Sequence, residues 1–142
     1  MFFVANKTKF TVRHLIFSVL FLLAFPNIGN AVEGPKLVCD APVYNFGQVD
    51  QSAVVTNVFT VRNEGDSTFV AGMPRATCSC TKVRLNKRMI GPGETAELTA
   101  VFTAERRTGE QRKTIYLPPA DSETPVLKFY LEGFVEPPVQ TN

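Results

Sequence analysis

Between residues 32 and 136 apolar side chains recur at every second position in short runs, and no run holds a 3.6-residue period over the length of a helix. The clearest case is Val54 to Arg62. There Val55, Asn57, Phe59 and Val61 share one face, and Val54, Thr56, Val58 and Thr60 share the other. Phe59 and Val61 are its candidate core residues. Ala96, Leu98, Ala100 and Phe102 alternate with Glu97, Thr99 and Val101, and the last run, Val126 to Val135, sets Leu127, Phe129 and Leu131 against Lys128, Tyr130 and Glu132. Leu37–Cys39, Val43–Phe46, Phe69–Ala71, Thr81–Leu85 and Lys113–Leu117 are shorter strands of the same kind. Turn residues punctuate them at Gly34-Pro35, Ala41-Pro42, Asn63-Glu64-Gly65-Asp66, Gly91-Pro92-Gly93-Glu94 and Pro118-Pro119, with Arg106 to Glu110 as a loop. About seven strands at this spacing predict an all-β domain over residues 32–136, an Ig-like seven-stranded antiparallel β-sandwich. The chain has no tryptophan and its cysteine spacing is not that of antibody domains, so it shares only their architecture.

The N-terminus reads differently. Lys7, Lys9, Arg13 and His14 precede the apolar run Leu15 to Phe25, which Pro26 breaks, and Gly29-Asn30-Ala31 supplies the small residues of a cleavage site. The run is about half of the roughly 20 residues that span a bilayer. Residues 1–31 are therefore expected to be a cleaved signal peptide, with no membrane span left after cleavage and a periplasmic or extracellular destination. Cys39 lies well past the apolar run, with Lys36 close before it, so the lipoprotein arrangement does not apply. Removing Lys7, Lys9 and Arg13 with no acid lost turns the formal charge of +2 negative, and no nucleic-acid footprint remains. His14, the single histidine, leaves too. A mature chain without histidine has no Ser-His or Cys-His catalytic pair and no histidine-based zinc site. Residues 137–142, opened by Pro137-Pro138, are expected to be a flexible tail.

The only obviously reactive stretch is Cys78-Ser79-Cys80. Three readings stay open for it and for Cys39, the third cysteine. On an extended backbone the Cys78 and Cys80 thiolates share a face and form a soft site suited to copper or zinc, with Cys39 as a third ligand. Alternatively Cys39 pairs with one of them as a structural staple, or Cys78 and Cys80 form a reversible disulfide open to exchange. Arg75, Lys82, Arg84, Lys87 and Arg88 make a basic surface around the pair, with no acid between Arg75 and Arg88. Positive neighbours favour a thiolate and disfavour a bound cation. The simplest account of Lys82 and Arg84 is the wet face of a strand.

Nothing else points to catalysis. There is no phosphate loop, nucleophile elbow or paired-carboxylate arrangement. Glu94, after Pro92-Gly93, suits a turn cap better than an acid catalyst, and Arg106-Arg107 and Arg112-Lys113 suit solvated loop or an acidic partner. Sheet edges are the stronger candidates for function, because an unpaired strand accepts a partner strand. The proline-interrupted first strand and the last strand are the edges expected from the sequence.

Five motifs in order carry a resemblance. They are Tyr44-Asn45-Phe46-Gly47-Gln48-Val49 (Y-x-F-G-x-V), Phe59 to Gly65 (F-x-V-x-N-x-G), Cys78-Ser79-Cys80-Thr81 (C-x-C-T), Pro92-Gly93-Glu94, and Leu131 to Val135 (L-x-G-x-V). Over residues 36–136 the chain resembles a bacterial family of secreted domains of unknown function, similar in turn to the Ig-like domains of Hydin and the major sperm protein. The resemblance implies an exported scaffold or interaction module without an established activity. Ser79 stands where that family usually has glycine, which would ease a Cys-x-Cys ring, and Cys39 lies outside the pattern. The expectation is a non-enzymatic module without cofactor, binding another exported protein or envelope component. The alternative is a thiol site at Cys78 and Cys80.

Overall fold

A computed structural model describes residues 34–121 and 123–138; the expected signal peptide and residues 139–142 lie outside them. The described chain is built of strands: β1 Leu37–Val38, β2 Val43–Val49, β3 Val54–Asn63, β4 Phe69–Val70, β5 Arg75–Ala76, β6 Thr81–Leu85, β7 Met89–Ile90, β8 Thr95–Thr103, β9 Gly109–Leu117 and β10 Leu127–Val135. One sheet runs β1-β3-β8-β6, a second runs β2-β10-β9-β5, and β4 and β7 form a small ribbon. The result is an all-β, Ig-like sandwich.

The faces follow the alternation. Val55, Phe59 and Val61 of β3 and Ala96, Leu98, Ala100 and Phe102 of β8 are buried against Ile115, Leu117, Phe129 and Leu131 of the second sheet. Phe59 meets Phe129 with ring centroids 5.0 Å apart, and Phe69 and Ile90 of the ribbon close one end of the core.

Strand order departs from the sequence expectation in two ways. β10 is not an edge: it lies between β9, its antiparallel partner, and β2. β2 in turn runs parallel to β10, so the sandwich is not wholly antiparallel. Both differences come from a long-range pairing that no local pattern encodes. β5 and β7 are two residues each, too short for alternation to reveal.

Three of the motif residues have packing explanations. Asn63 is fully buried, and its amide is saturated. Oδ1 accepts from the N–H of Lys36 at 3.1 Å and of Gly65 at 3.0 Å, while Nδ2 donates to the carbonyls of Ser67 and Ile90 at 2.8 Å each. Gly65 lies so close under Gly34 and Lys36 that a Cβ there would overlap backbone. Gly133 sits where the β2–β10 register shifts, and a Cβ on it would strike the Phe46 ring and the Gly47 carbonyl. The first and last motifs are thus two halves of one contact.

Replacing Asn63 with leucine would leave four backbone groups without their partners. Each unsatisfied buried group costs about 1–3 kcal/mol, so a loss of at least about 3 kcal/mol is expected. Urea unfolding should show a lowered midpoint at unchanged slope, whereas the exposed Thr60→Ala should stay within about 0.5 kcal/mol of the parent.

Candidate functional site

Thr77 to Cys80 carries the chain from β5, an edge of the second sheet, to β6, an edge of the first. Backbone bonds fix this corner at both ends: Thr77 N–H donates to Thr114 at 3.0 Å, and Thr103 N–H donates to the Cys80 carbonyl at 2.9 Å. Within it Cys78 and Cys80 are joined as a disulfide, their Cα atoms 5.1 Å apart. Ser79 keeps a negative φ, since Arg106 is the only non-glycine with a positive one among the described residues. Glycine is therefore not required between these cysteines.

Cys39 is not brought to this corner. It follows β1, at the far side of the first sheet, and is a free, half-buried thiol. Three strand spacings separate β1 from β6, about 14 Å at roughly 4.8 Å each. A disulfide needs Cα atoms within about 7 Å. Neither the staple between Cys39 and the pair nor the three-thiolate copper or zinc site is formed, and among the described residues no other cluster of three or more metal-ligating side chains occurs.

The basic residues divide by what they touch. Lys87 pairs with Glu94 at 3.0 Å, and Arg88 Nε donates to the Ala71 carbonyl at 2.9 Å. Glu94 also accepts from Gly91 N–H at 2.9 Å. That bond first, and then Lys87, holds its carboxyl below the usual range, so it caps the turn. Arg75 lies over the Tyr116 ring, and Lys82 and Arg84 project from β6 into solvent. Arg107 was not singled out with the cysteines by sequence, yet its guanidinium donates to Cys78 Sγ at 3.4 Å. Arg112 pairs with Glu132 over Tyr130, and Lys113 lies over Phe102, its pKa lowered by burial and then by Arg107. Most of these cations are thus engaged within the fold.

The opposite edge differs in every respect. Asn63 N–H donates to Glu94, Gly93 N–H donates to Asn63, and Ala104 N–H donates to Ala53. The β3–β8 register between these points is unbroken. Odd-numbered β3 residues therefore direct their backbone groups at β8, and even-numbered ones direct theirs outward. β1 covers only Arg62 and Asn63. The outward N–H and C=O groups of Val54, Thr56, Val58 and Thr60 face no strand among the described residues. Their side chains lie on the solvent face, where Val54 is 61% and Val58 48% exposed. Beside them a groove of about 280 Å³ opens between β3 and β2, lined by Cys39, Val43, Tyr44, Asn57, Phe59 and Thr60 among others. From Ala41 to Val61 the sole charged residue is Asp50. That gap, with valines at positions where alternation calls for polar residues, is the sequence signal that would have located this edge.

A family model for a protein of unknown function, DUF1573, matches residues 37–135. The chain belongs to the DUF1573 family. The matched span runs from the first residue of β1 to the last of β10, so this DUF1573 domain includes every strand described. No curated protein matches it. Its fold is similar to that of a protein of unknown function from Porphyromonas gingivalis W83, with a TM-score of 0.60 and 13% identity over 78% of this chain and 51% of that one. It is also similar to part of a family 123 glycoside hydrolase from Clostridium perfringens (TM-score 0.56, 10% identity, 66% of this chain and 22% of the other). The secreted serine protease VesC from Vibrio cholerae is a third (0.53, 11%, 72% and 23%). The chain spans about half the length of the first and under a quarter of the other two. At these identities the likeness is one of fold.

Two measurements check the site of this DUF1573 domain. By amide exchange, Thr56, Val58 and Thr60 should exchange at least about tenfold faster than Asn57, Phe59 and Val61, because only the latter amides are bonded into the sheet. In thiol titration, the unreduced protein should yield Cys39 alone. Burial pushes that thiol up, the Ala41 amide offsets part of the shift and Asp40 adds to it. Its alkylation should be slower than that of free cysteine at pH 8 and should keep rising above the ordinary thiol value of about 8.5.

Proposed function

We propose that this protein is an exported, non-enzymatic Ig-like module of the bacterial cell envelope that binds another exported protein or envelope component by taking a strand of it onto β3. The observation that carries the reading is the uncharged β3 edge, open from Val54 to Thr60 among the described residues. Natural sheets usually blunt such edges with charge, proline or a covering element. Here the other side of the sandwich is blunted: β5 carries Arg75, β6 carries Lys82 and Arg84, and the disulfide corner joins them. Leaving one edge bare while guarding the other fits an acceptor of strands.

Export rests on the N-terminal pattern of residues 1–31. Similarity to a minor part of two larger enzymes, one of them described as secreted, agrees with an accessory role for such a domain. The non-enzymatic reading is supported by the loss of His14 with the expected signal, which leaves no Ser-His or Cys-His pair. No cofactor enters this reading.

Two results are expected in cells that produce the protein. The exported form should begin after Ala31 by intact mass. A photoreactive residue at Thr56 should give a discrete crosslinked adduct, and one at Lys82, on the guarded edge, should not. No adduct at Thr56, or equal adducts at both positions, would remove the strand-accepting role.

A further inference from the structure

Resting on that reading, we infer that the partner segment is extended and uncharged, and that it inserts one bulky apolar side chain into the groove between β2 and β3. Three observations lead there. A strand added to β3 from Val54 to Thr60 lies on the same edge as β1, in line with it. Every second side chain of that strand then points toward the second sheet, into the space that the groove occupies.

The groove has room for a bulky side chain. Its volume of about 280 Å³ falls below the roughly 300–1,000 Å³ of small-molecule sites. Its lining includes Val43, Tyr44 and Val58, with Asp40 and Arg62 toward β1, and Val43 and Tyr44 are 48% and 36% exposed. Asn57, on the inward face of β3, is half-buried. An apolar anchor would cover Val43 and Tyr44.

Charge sets the rest of the segment. The β3 edge carries no charge between Asp50 and Arg62, Arg62 is taken by Glu64 at 2.7 Å, and Asp40 is the other charge on the groove's lining. A charged residue in the middle of the incoming strand, opposite Thr56 and Val58, would lose solvent with no charge on β3 to pair with. A second copy of this chain fits less well. Its own β3 keeps Val55 and Phe59 in its core, so it offers no side chain to the groove.

The test uses the full chain and two capped peptides of alternating threonine and valine with lysines at both ends, one with phenylalanine at the centre and one with alanine. The phenylalanine peptide should bind at least about tenfold more tightly, the scale of one buried aromatic contact. It should slow exchange of the Thr56, Val58 and Thr60 amides and shield Cys39 from alkylation. Val58→Lys, at an exposed position, should weaken this binding while the far-ultraviolet spectrum stays unchanged.

Equal binding of the two peptides, or none, would overturn the anchor. Binding that leaves Cys39 reactivity unchanged would place the peptide elsewhere and overturn it too. Protection of the β3 amides that rises with protein concentration alone would give the edge to a second copy. A crosslink at Thr56 in cells, combined with equal peptide affinities, would retain strand acceptance and reject the groove.

Discussion

The buried side chain of Asn63 is the constraint from which the rest of this architecture follows. A fully buried amide is tolerable only when its donors and acceptors are matched. Here the matches reach back to Lys36, forward to Gly65 and Ser67, and across to Ile90. One side chain thereby fixes where β1 begins, how the turn after β3 folds and where β7 lies. Because Lys36 is held opposite the end of β3, β1 has only Leu37 and Val38 before the chain departs. Pro42 already accepts a hydrogen bond from Tyr130 in the second sheet. β1 is therefore short, and the remainder of the β3 edge stays uncovered by it.

The two sides of the sandwich solve the same problem in opposite ways. Where β5 and β6 end their sheets, the chain crosses between them, a disulfide braces the crossing and Arg107 caps one sulfur. Lysine and arginine on β6 add the charge that commonly keeps edges apart. Where β1 and β2 end their sheets, the crossing at Cys39 to Ala41 has no such brace, and the strands diverge enough to leave a groove. The cysteine pair that first looks like an active site is better understood as the closed side of a molecule whose open side is opposite.

Much of this was legible in the sequence wherever a two-residue period decides the outcome. The inward faces of β3, β8 and β10 fall on Phe59, Leu98 and Phe129 because alternation fixes them. The turns at Asn63–Asp66 and Gly91–Glu94 could be named from residue types, and Gly93 does take a positive φ. What Asn63 does with its side chain could not, since two of its four partners lie 27 residues away. The same limit applies to strand order. β10 looks like a terminal strand and is an inner one; Cys39 looks available to Cys78 and Cys80 and sits on the other side. Proximity along the chain gave the disulfide a candidate, and only topology could remove the third cysteine.

A bare edge is also an aggregation hazard, so its tolerance needs a physical reason. The exposed length is short. Asp50 precedes it, and β1 with the Arg62–Glu64–Lys36 ion pairs closes its far end. Only the outward groups of Val54, Thr56, Val58 and Thr60 lie between these limits, about one short strand in length. Main-chain hydrogen bonds along such a strand are blind to sequence, and by themselves they would accept any extended segment. Discrimination has to come from side chains, and the adjoining groove is where an incoming side chain would be read. In the proposed reading edge and groove are therefore one device: the first would supply affinity, and the second would restrict which segments could use it.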